Sequence, residues 1–246
     1  MKTAFAAAVL LCTSAWGYSG GPDARFTAAP GDDQRACASA GCHTSSPGGG
    51  PINNFATGGV TATFSSSTYT PGQVITITVN VTDPTNRQFG FQMTARLESN
   101  LSRDQGGSFT PGTGSQVICD NNLPRRGNAC AASAPVEFIE HTSPRTSAVT
   151  FTWTAPSPAA GTVHFYIAGN AVNGNGREDG GDHVYTQSYT LPAAGAGATI
   201  TSVTSGTDFG GYSQFASGSW LEIKGTNLAG NTRIWGGADF SGTTAP

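Results

Sequence analysis

The chain has 246 residues, a formal net charge of −3, only 11% charged side chains and no run of Lys or Arg. That balance lacks the electrostatic footprint of a nucleic-acid binder and makes an anionic lipid surface an equally poor partner. Gly supplies 34 residues, while Thr, Ser, Val and Asn crowd the middle of the chain, a mixture suited to short strands and turns rather than helices.

Residues 1–17 read as an export signal. Lys2 supplies the positive end, Ala4 to Leu11 form an apolar core too short to span a bilayer, and Ala15 and Gly17 allow cleavage before Tyr18. No membrane insertion is expected once the signal is removed. Cys12 lies inside it, and Leu11 stands where a lipoprotein signal would want a small residue, so Cys12 is expected to be lost rather than lipidated. Cys37, Cys42, Cys119 and Cys130 then remain, an even set of the kind an oxidising compartment favours.

Residues 18–52 carry almost no periodic hydrophobicity, and their GGP, APGDD and SPGGGP clusters predict an extended, turn-rich segment. At its centre stands CASAGCH, in which Cys37 and Cys42 bracket four residues and His43 follows directly. Two thiols followed by an adjacent imidazole is the order of covalent haem attachment: the thiols take the porphyrin vinyls, and His43 would be the proximal iron ligand. The usual spacer has two residues, so the loop here must bulge. Two other readings stand beside haem c: a local Cys37–Cys42 disulfide, and a zinc or copper site that recruits a fourth ligand from elsewhere. A segment so poor in apolar residues needs something to fold around, whether a covalent cofactor, a disulfide or the next domain.

From residue 59 to residue 191 strand signals recur: VTATF, TPGQVITITVNVTDP, FGFQMTARLES, VEFIEHT, AVTFTWTAP, TVHFYIAGNAV and HVYTQSYTL, each bounded by turn residues. In the second, Val74, Thr76, Thr78 and Asn80 alternate with Ile75, Ile77, Val79 and Val81, which makes one face apolar. This pattern predicts an all-β domain over residues 53–191, an antiparallel immunoglobulin-like β-sandwich. With Cys37 and Cys42 on a haem, the natural remaining pair is Cys119–Cys130, closing the polar loop CDNNLPRRGNAC; the pairing rests on proximity.

A second axial iron position could be filled by His141, His164, His183 or Met93, or left open. His141 is preferred, because it ends the short strand VEFIEH, where a side chain can reach the sandwich rim and meet the amino-terminal segment. Met93 shares a face with Phe91, Ala95 and Leu97 and reads as core. His164 reads as an exposed or half-buried strand position and His183 as a solvated loop residue. Asn173, Asn175, Glu178, Asp179 and Asp182 concentrate oxygen donors of the kind calcium favours, yet fit no EF-hand spacing, and a polar hairpin loop explains them equally well. H-E-x-x-H and a P-loop are absent from the sequence, and no enzymatic activity is expected.

PAAGAGA at residues 192–198 has the composition of a short linker, and ATITSVTSGTDFGG, SGSWLEIKGTNLAG and TRIWGG beyond it predict a partial second β-domain over residues 199–246, the start of a larger one.

Several strings together resemble a bacterial secreted module related to the reelin-type (reeler) fold, the choice-of-anchor V domain: YSGGPDARFTAAPGD, CASAGCH, GFQMTARL, EHT, FTWTAP and GTVHFYIAGNAVNGNG followed by GDHVYT. The resemblance spans most of residues 18–191 and implies an exported β-sandwich preceded by a haem-type Cys/His motif. SGSWLEIKGTNLAG resembles the start of an IPT/TIG-like, immunoglobulin-type domain of bacterial surface proteins, which implies a spacer or adhesive module. The expected function is therefore a haem-c-binding module for electron transfer or redox sensing in the periplasm, at the cell surface or in the medium. Its rival is a redox-inert surface or adhesion module with disulfide-paired cysteines. The partner, redox protein or cell surface, is not written in the sequence.

Overall fold

The computed structural model describes residues 19–32, 36–38, 43, 54, 57–177, 181–195, 199–205, 214, 216–218 and 220–226. Nine strands build the first of two compact units, which runs from Met1 to Ala193. They are β1 (Gly59–Phe64), β2 (Val74–Thr82), β3 (Gln88–Leu97), β4 (Ser108–Thr110), β5 (Ser115–Cys119), β6 (Glu137–His141), β7 (Val149–Thr154), β8 (Val163–Val172) and β9 (His183–Leu191). One sheet has four strands in the order β1-β2-β7-β4, the other five in the order β5-β6-β3-β8-β9, and every pairing is antiparallel. The sandwich is thus all-β, as its alternation predicts.

The period-two pattern decides which face is buried. Ile75, Ile77, Val79 and Val81 of β2 point inward and meet Phe91, Met93 and Ala95 of β3 and Phe165 and Ile167 of β8, whereas Val74 is 61% exposed. An aromatic cluster thickens this core. Trp153 lies edge-on to Phe165 with ring centroids 5.1 Å apart and edge-on to Tyr69 at 5.7 Å, and its Nε1–H donates to the Gly106 carbonyl. Met93 is fully buried between the sheets, as the reading of it as core requires, and the core removes it from any axial role.

Two strands, β4 and β5, are additions to the seven expected. Each is short, and Pro111, Gly112 and Gly114 lie between them, so neither is long enough to show a period. A disulfide joins Cys119, the last residue of β5, to Cys130 across 11 residues of sequence.

The second face of the five-stranded sheet carries polar residues that are nevertheless buried: Gln92, Thr94 and Arg96 of β3 and Glu140 of β6. The amino-terminal segment covers them. It lies in the same compact unit as the sandwich and holds to it through side chains: Phe26 N donates to Gln92 Oε1 at 2.9 Å, Gln92 Nε2 to the Asp23 carbonyl at 2.9 Å, and Ala24 N to Asn122 Oδ1 at 2.7 Å. Arg25 forks onto both carboxylate oxygens of Asp120. A single 3-10 turn, Pro30–Asp32, puts the buried Asp32 carboxylate 2.9 Å from Arg96 Nη2. What the segment folds around is, over its described part, the sheet itself.

In the second unit, Ala194–Pro246, the strands β10 (Thr199–Ser205) and β11 (Leu221–Thr226) pair antiparallel with a register shift between Ile200 and Ser202. The boundary falls after Ala193, inside the expected linker, because Tyr69 bridges Ala193 and its N–H donates to the Pro192 carbonyl. TRIWGG and the export signal lie outside the described residues. Among the described residues no helix is long and apolar enough to cross a membrane.

Candidate functional site

The outer face of β8 and β9 holds the Cys/His segment. Ala168 of β8 and Val184 of β9 point outward, and Ala36, Ala38 and Cys37 pack against them, with small side chains letting the segment lie close. His43 N donates to the Cys37 carbonyl at 3.2 Å. Cys42 lies outside the described residues.

His43 is fixed by a partner 139 residues away. Its Nδ1 lies 2.6 Å from Oδ2 of Asp182, whose side chain is 0% exposed against 13% for the imidazole. Asp182 is itself held, because its Oδ1 accepts from Asn173 N at 3.0 Å. A buried carboxylate on Nδ1 sets the tautomer and leaves Nε2 as the nitrogen for a metal, the arrangement by which ligating imidazoles are oriented. The polar stretch before Asp182 is organised by Asn side chains that cap their own turns: Asn173 Oδ1 accepts from Asn175 N and Asn175 Oδ1 from Arg177 N. Glu178 and Asp179 lie outside the described residues.

His141 sits on the same sheet. Its ring occupies the place of a missing side chain, for a Cβ on Gly90 would lie 2.6 Å from His141 Cε1, and its Nδ1 is 3.1 Å from both the N–H and the carbonyl of Phe91. Gly90 pairs with Asn170, and Asn170 with Val184, two residues beyond Asp182. Two interstrand spacings and one two-residue step separate Gly90 from Asp182, about 12 Å between Cα atoms. Beside it, Glu140 receives Gln92 Nε2 at 2.8 Å and Gln116 Nε2 at 2.9 Å. Burial pushes the Glu140 carboxyl up to about 7 against these hydrogen bonds.

His183 corrects the expectation of a solvated loop residue. It opens β9, and its Nδ1 lies 2.6 Å from Oδ2 of the buried Asp83, which also accepts from Tyr185 Oη at 2.5 Å. Burial works against the Asp83 charge, but donors from Asn86, Tyr185, His183 and Thr85 outweigh it and hold the carboxyl below its usual range; burial and the Asp83 charge push the Tyr185 phenol up. Tyr185 belongs to the core between the sheets and Val184 to the outer cluster, so His183 and His43 are tied to opposite faces. His164 stacks on Tyr166 and is half-buried, as expected.

Sequence reasoning did not find Asp182 or Asp83 in these roles. The available signal was Asp182-His183 placed at a strand start, but their partners at positions 43 and 83 are far away in sequence. Among the described residues no three His, Cys, Asp or Glu side chains form a metal-binding group.

A family model for the reeler domain matches residues 37–169, more than half of the 246-residue chain. The chain belongs to the reeler family. No curated protein matches it. Among solved structures it is similar to the human F-spondin reeler domain (fragment 1), at 15% identity over 58% of this chain and 94% of that one, with a TM-score of 0.39. The Reelin-N domain of F-spondin matches at 18% identity over 58% and 91%, with a TM-score of 0.38. A type II cohesin domain from the cellulosome of Acetivibrio cellulolyticus matches at 9% over 55% and 95%, with a TM-score of 0.30.

Proposed function

We propose that this reeler-family chain is an exported haem-c-binding module that serves electron transfer or redox sensing, with Cys37 and Cys42 as thioether donors and His43 as the proximal ligand. The observation that carries the reading is the His43–Asp182 pair: a buried carboxylate 2.6 Å from Nδ1 holds one ring nitrogen and leaves Nε2 for a metal. The donor set fits the group, since two thiols and an imidazole oriented by a carboxylate are what covalent haem attachment asks of a polypeptide. The haem would supply the one-electron chemistry. The chain's own residues hold it: Asp182 aims His43, and the cluster of Ala36, Ala38, Ala168 and Val184 seats the Cys37 backbone. His141, whose ring lies over Gly90 on the same sheet, is the candidate for the sixth position. Residues 199–246 serve as a spacer or adhesive module of IPT/TIG type.

A second reading, compatible with the same Cys119–Cys130 disulfide, is a redox-inert surface module with all four cysteines paired. The deciding experiment is a pyridine haemochrome spectrum, with peptide mapping, of the full chain made with a haem-attachment system. Haem is expected on the Cys37–Cys42 peptide, lost in Cys37→Ala and Cys42→Ala, and retained with a changed iron spectrum in His43→Ala. An absent Soret band together with a Cys37–Cys42 disulfide overturns the haem reading in favour of the second.

A further inference from the structure

Four described arginines are buried or half-buried, and three of them, Arg25, Arg96 and Arg125, pair with Asp120, Asp32 and Glu137. Arg145 is the fourth. Its Nε–H is buried and meets no acceptor among the described residues, and no described carboxylate pairs with its guanidinium. A buried donor without an acceptor is rare in folded chains, since it gives up its hydration and gains nothing in return.

The side chain is nevertheless held in place. Arg145 N donates to the Phe89 carbonyl at 2.8 Å and Phe89 N to the Arg145 carbonyl at 2.7 Å, an antiparallel bridge. Cross-strand partners share a face, so the Arg145 side chain points inward as Phe89 does. Its guanidinium rests on the bare Cα of Gly114, where a Cβ would lie 2.6 Å from Nη1 and 2.7 Å from Cζ. There the two sheets leave a crevice, with Val79, Val81, Phe91 and Val149 as its buried apolar walls and Arg145 and Ser147 at its rim. With its open mouth it measures about 210 Å³, and its inner part about 10 Å³, close to the space of one water or methyl group. Apolar walls disfavour a hydrated ion, and a guanidinium fork matches the two oxygens of a carboxylate.

We propose that this crevice binds a carboxylate carried on a small branched aliphatic group, whose oxygens accept from the Arg145 guanidinium while a methyl enters between the apolar walls. A free short-chain acid and the C-terminal valine of a peptide both offer that chemistry. The site is independent of the haem reading.

The test is an NMR titration of the full chain, reading the Arg145 Nε–H and the Val149 amide, with isobutyrate, its neutral analogue isobutyramide, sodium chloride, and acetyl-glycyl-valine. The two carboxylates are expected to shift both resonances saturably, with a Kd of about 1–10 mM for isobutyrate, while isobutyramide and chloride leave them in place. Arg145→Gln should weaken binding about tenfold or more, read at Val149, and Arg145→Lys, which keeps the charge but not the fork, should retain part of it. Ser147→Leu, at an exposed position, should narrow the mouth and weaken binding with the arginine intact. A peptide about tenfold tighter than isobutyrate identifies a chain end as the ligand, and comparable values a free acid. No saturable shift with either carboxylate, equal shifts with isobutyramide or chloride, or undiminished binding by folded Arg145→Gln overturns the assignment.

Discussion

Arg96 and Asp32 pin the amino-terminal segment to the sheet, and breaking the pair should cost far more than a surface ion pair does. The guanidinium side chain is 2% exposed and the carboxylate 0%. Arg96 also donates through Nε to Thr94 Oγ1 at 3.0 Å and through Nη1 to the Ser102 carbonyl at 3.0 Å, while Asp32 accepts from Thr27 N and Oγ1. Arg96→Met leaves Asp32 buried with its local donors but without its cation. Removing one partner of such a pair costs about 3–5 kcal/mol. For a unit of this size that is a fall in midpoint of roughly 6–20 °C. Burial already raises the Asp32 carboxyl, against the opposing Thr27 hydrogen bonds and Arg96 charge. Losing Arg96 raises it further, so the variant can take up a proton instead of burying a bare charge. The sign follows: a carboxyl raised on folding stabilises below its unfolded value and loses that contribution as pH climbs through the folded one. The Arg96→Met penalty should therefore be smaller at pH 5 than at pH 8. The double variant Arg96→Met with Asp32→Leu should recover most of the loss, because no lone charge stays behind. Urea unfolding followed by circular dichroism measures both, and hydrogen exchange over residues 19–32 reports whether the segment has lifted. A single variant within about 1 kcal/mol of wild type, or a double variant no better than the single, would refute the reasoning.

On the acid side, Asp83 is held below its usual range, so its contribution is present above the unfolded carboxylate value and is lost as pH falls through the folded one. Asp83→Asn should lower stability at pH 7 and flatten its dependence on pH below 4, read by urea midpoints across that range; an unchanged profile counts against the His183–Asp83–Tyr185 cluster. Cys130→Ser opens a cross-link spanning 11 residues, worth about 3 kcal/mol in the chain-entropy treatment, and calorimetry on the oxidised chain should show that loss with β5 still paired. Gly90→Ala sets a methyl 2.6 Å from His141 Cε1, so the ring must move, at about 1–3 kcal/mol; an unshifted His141 imidazole resonance would mean that the ring does not occupy that place.

Strand identity was legible where period two runs for six or more residues, as in β2, where Ile75 to Val81 alternate inward without exception. It was not legible in β4, whose three residues offer no period. The site was half legible. CASAGCH stands out through the adjacency of cysteine and histidine, and His141 through its position at the end of VEFIEH. What orients His43 is a carboxylate 139 residues later, and no local pattern encodes that distance. His183 was misread because Gly and Asp precede it, although its ring is claimed by a carboxylate 100 residues earlier.

The amino-terminal segment docks without joining a ladder, and its anchors all come later in the chain: Gln92 is 66 residues beyond Phe26, Arg96 is 64 beyond Asp32, Asp120 is 95 beyond Arg25 and Asp182 is 139 beyond His43. Synthesis delivers this segment first, while the surface that receives Ala36, Ala38 and His43 forms only once β8 and β9 have been added. Docking of Ala36, Ala38 and His43 therefore waits on residues 168 to 184, which belong to the last-made part of the sandwich.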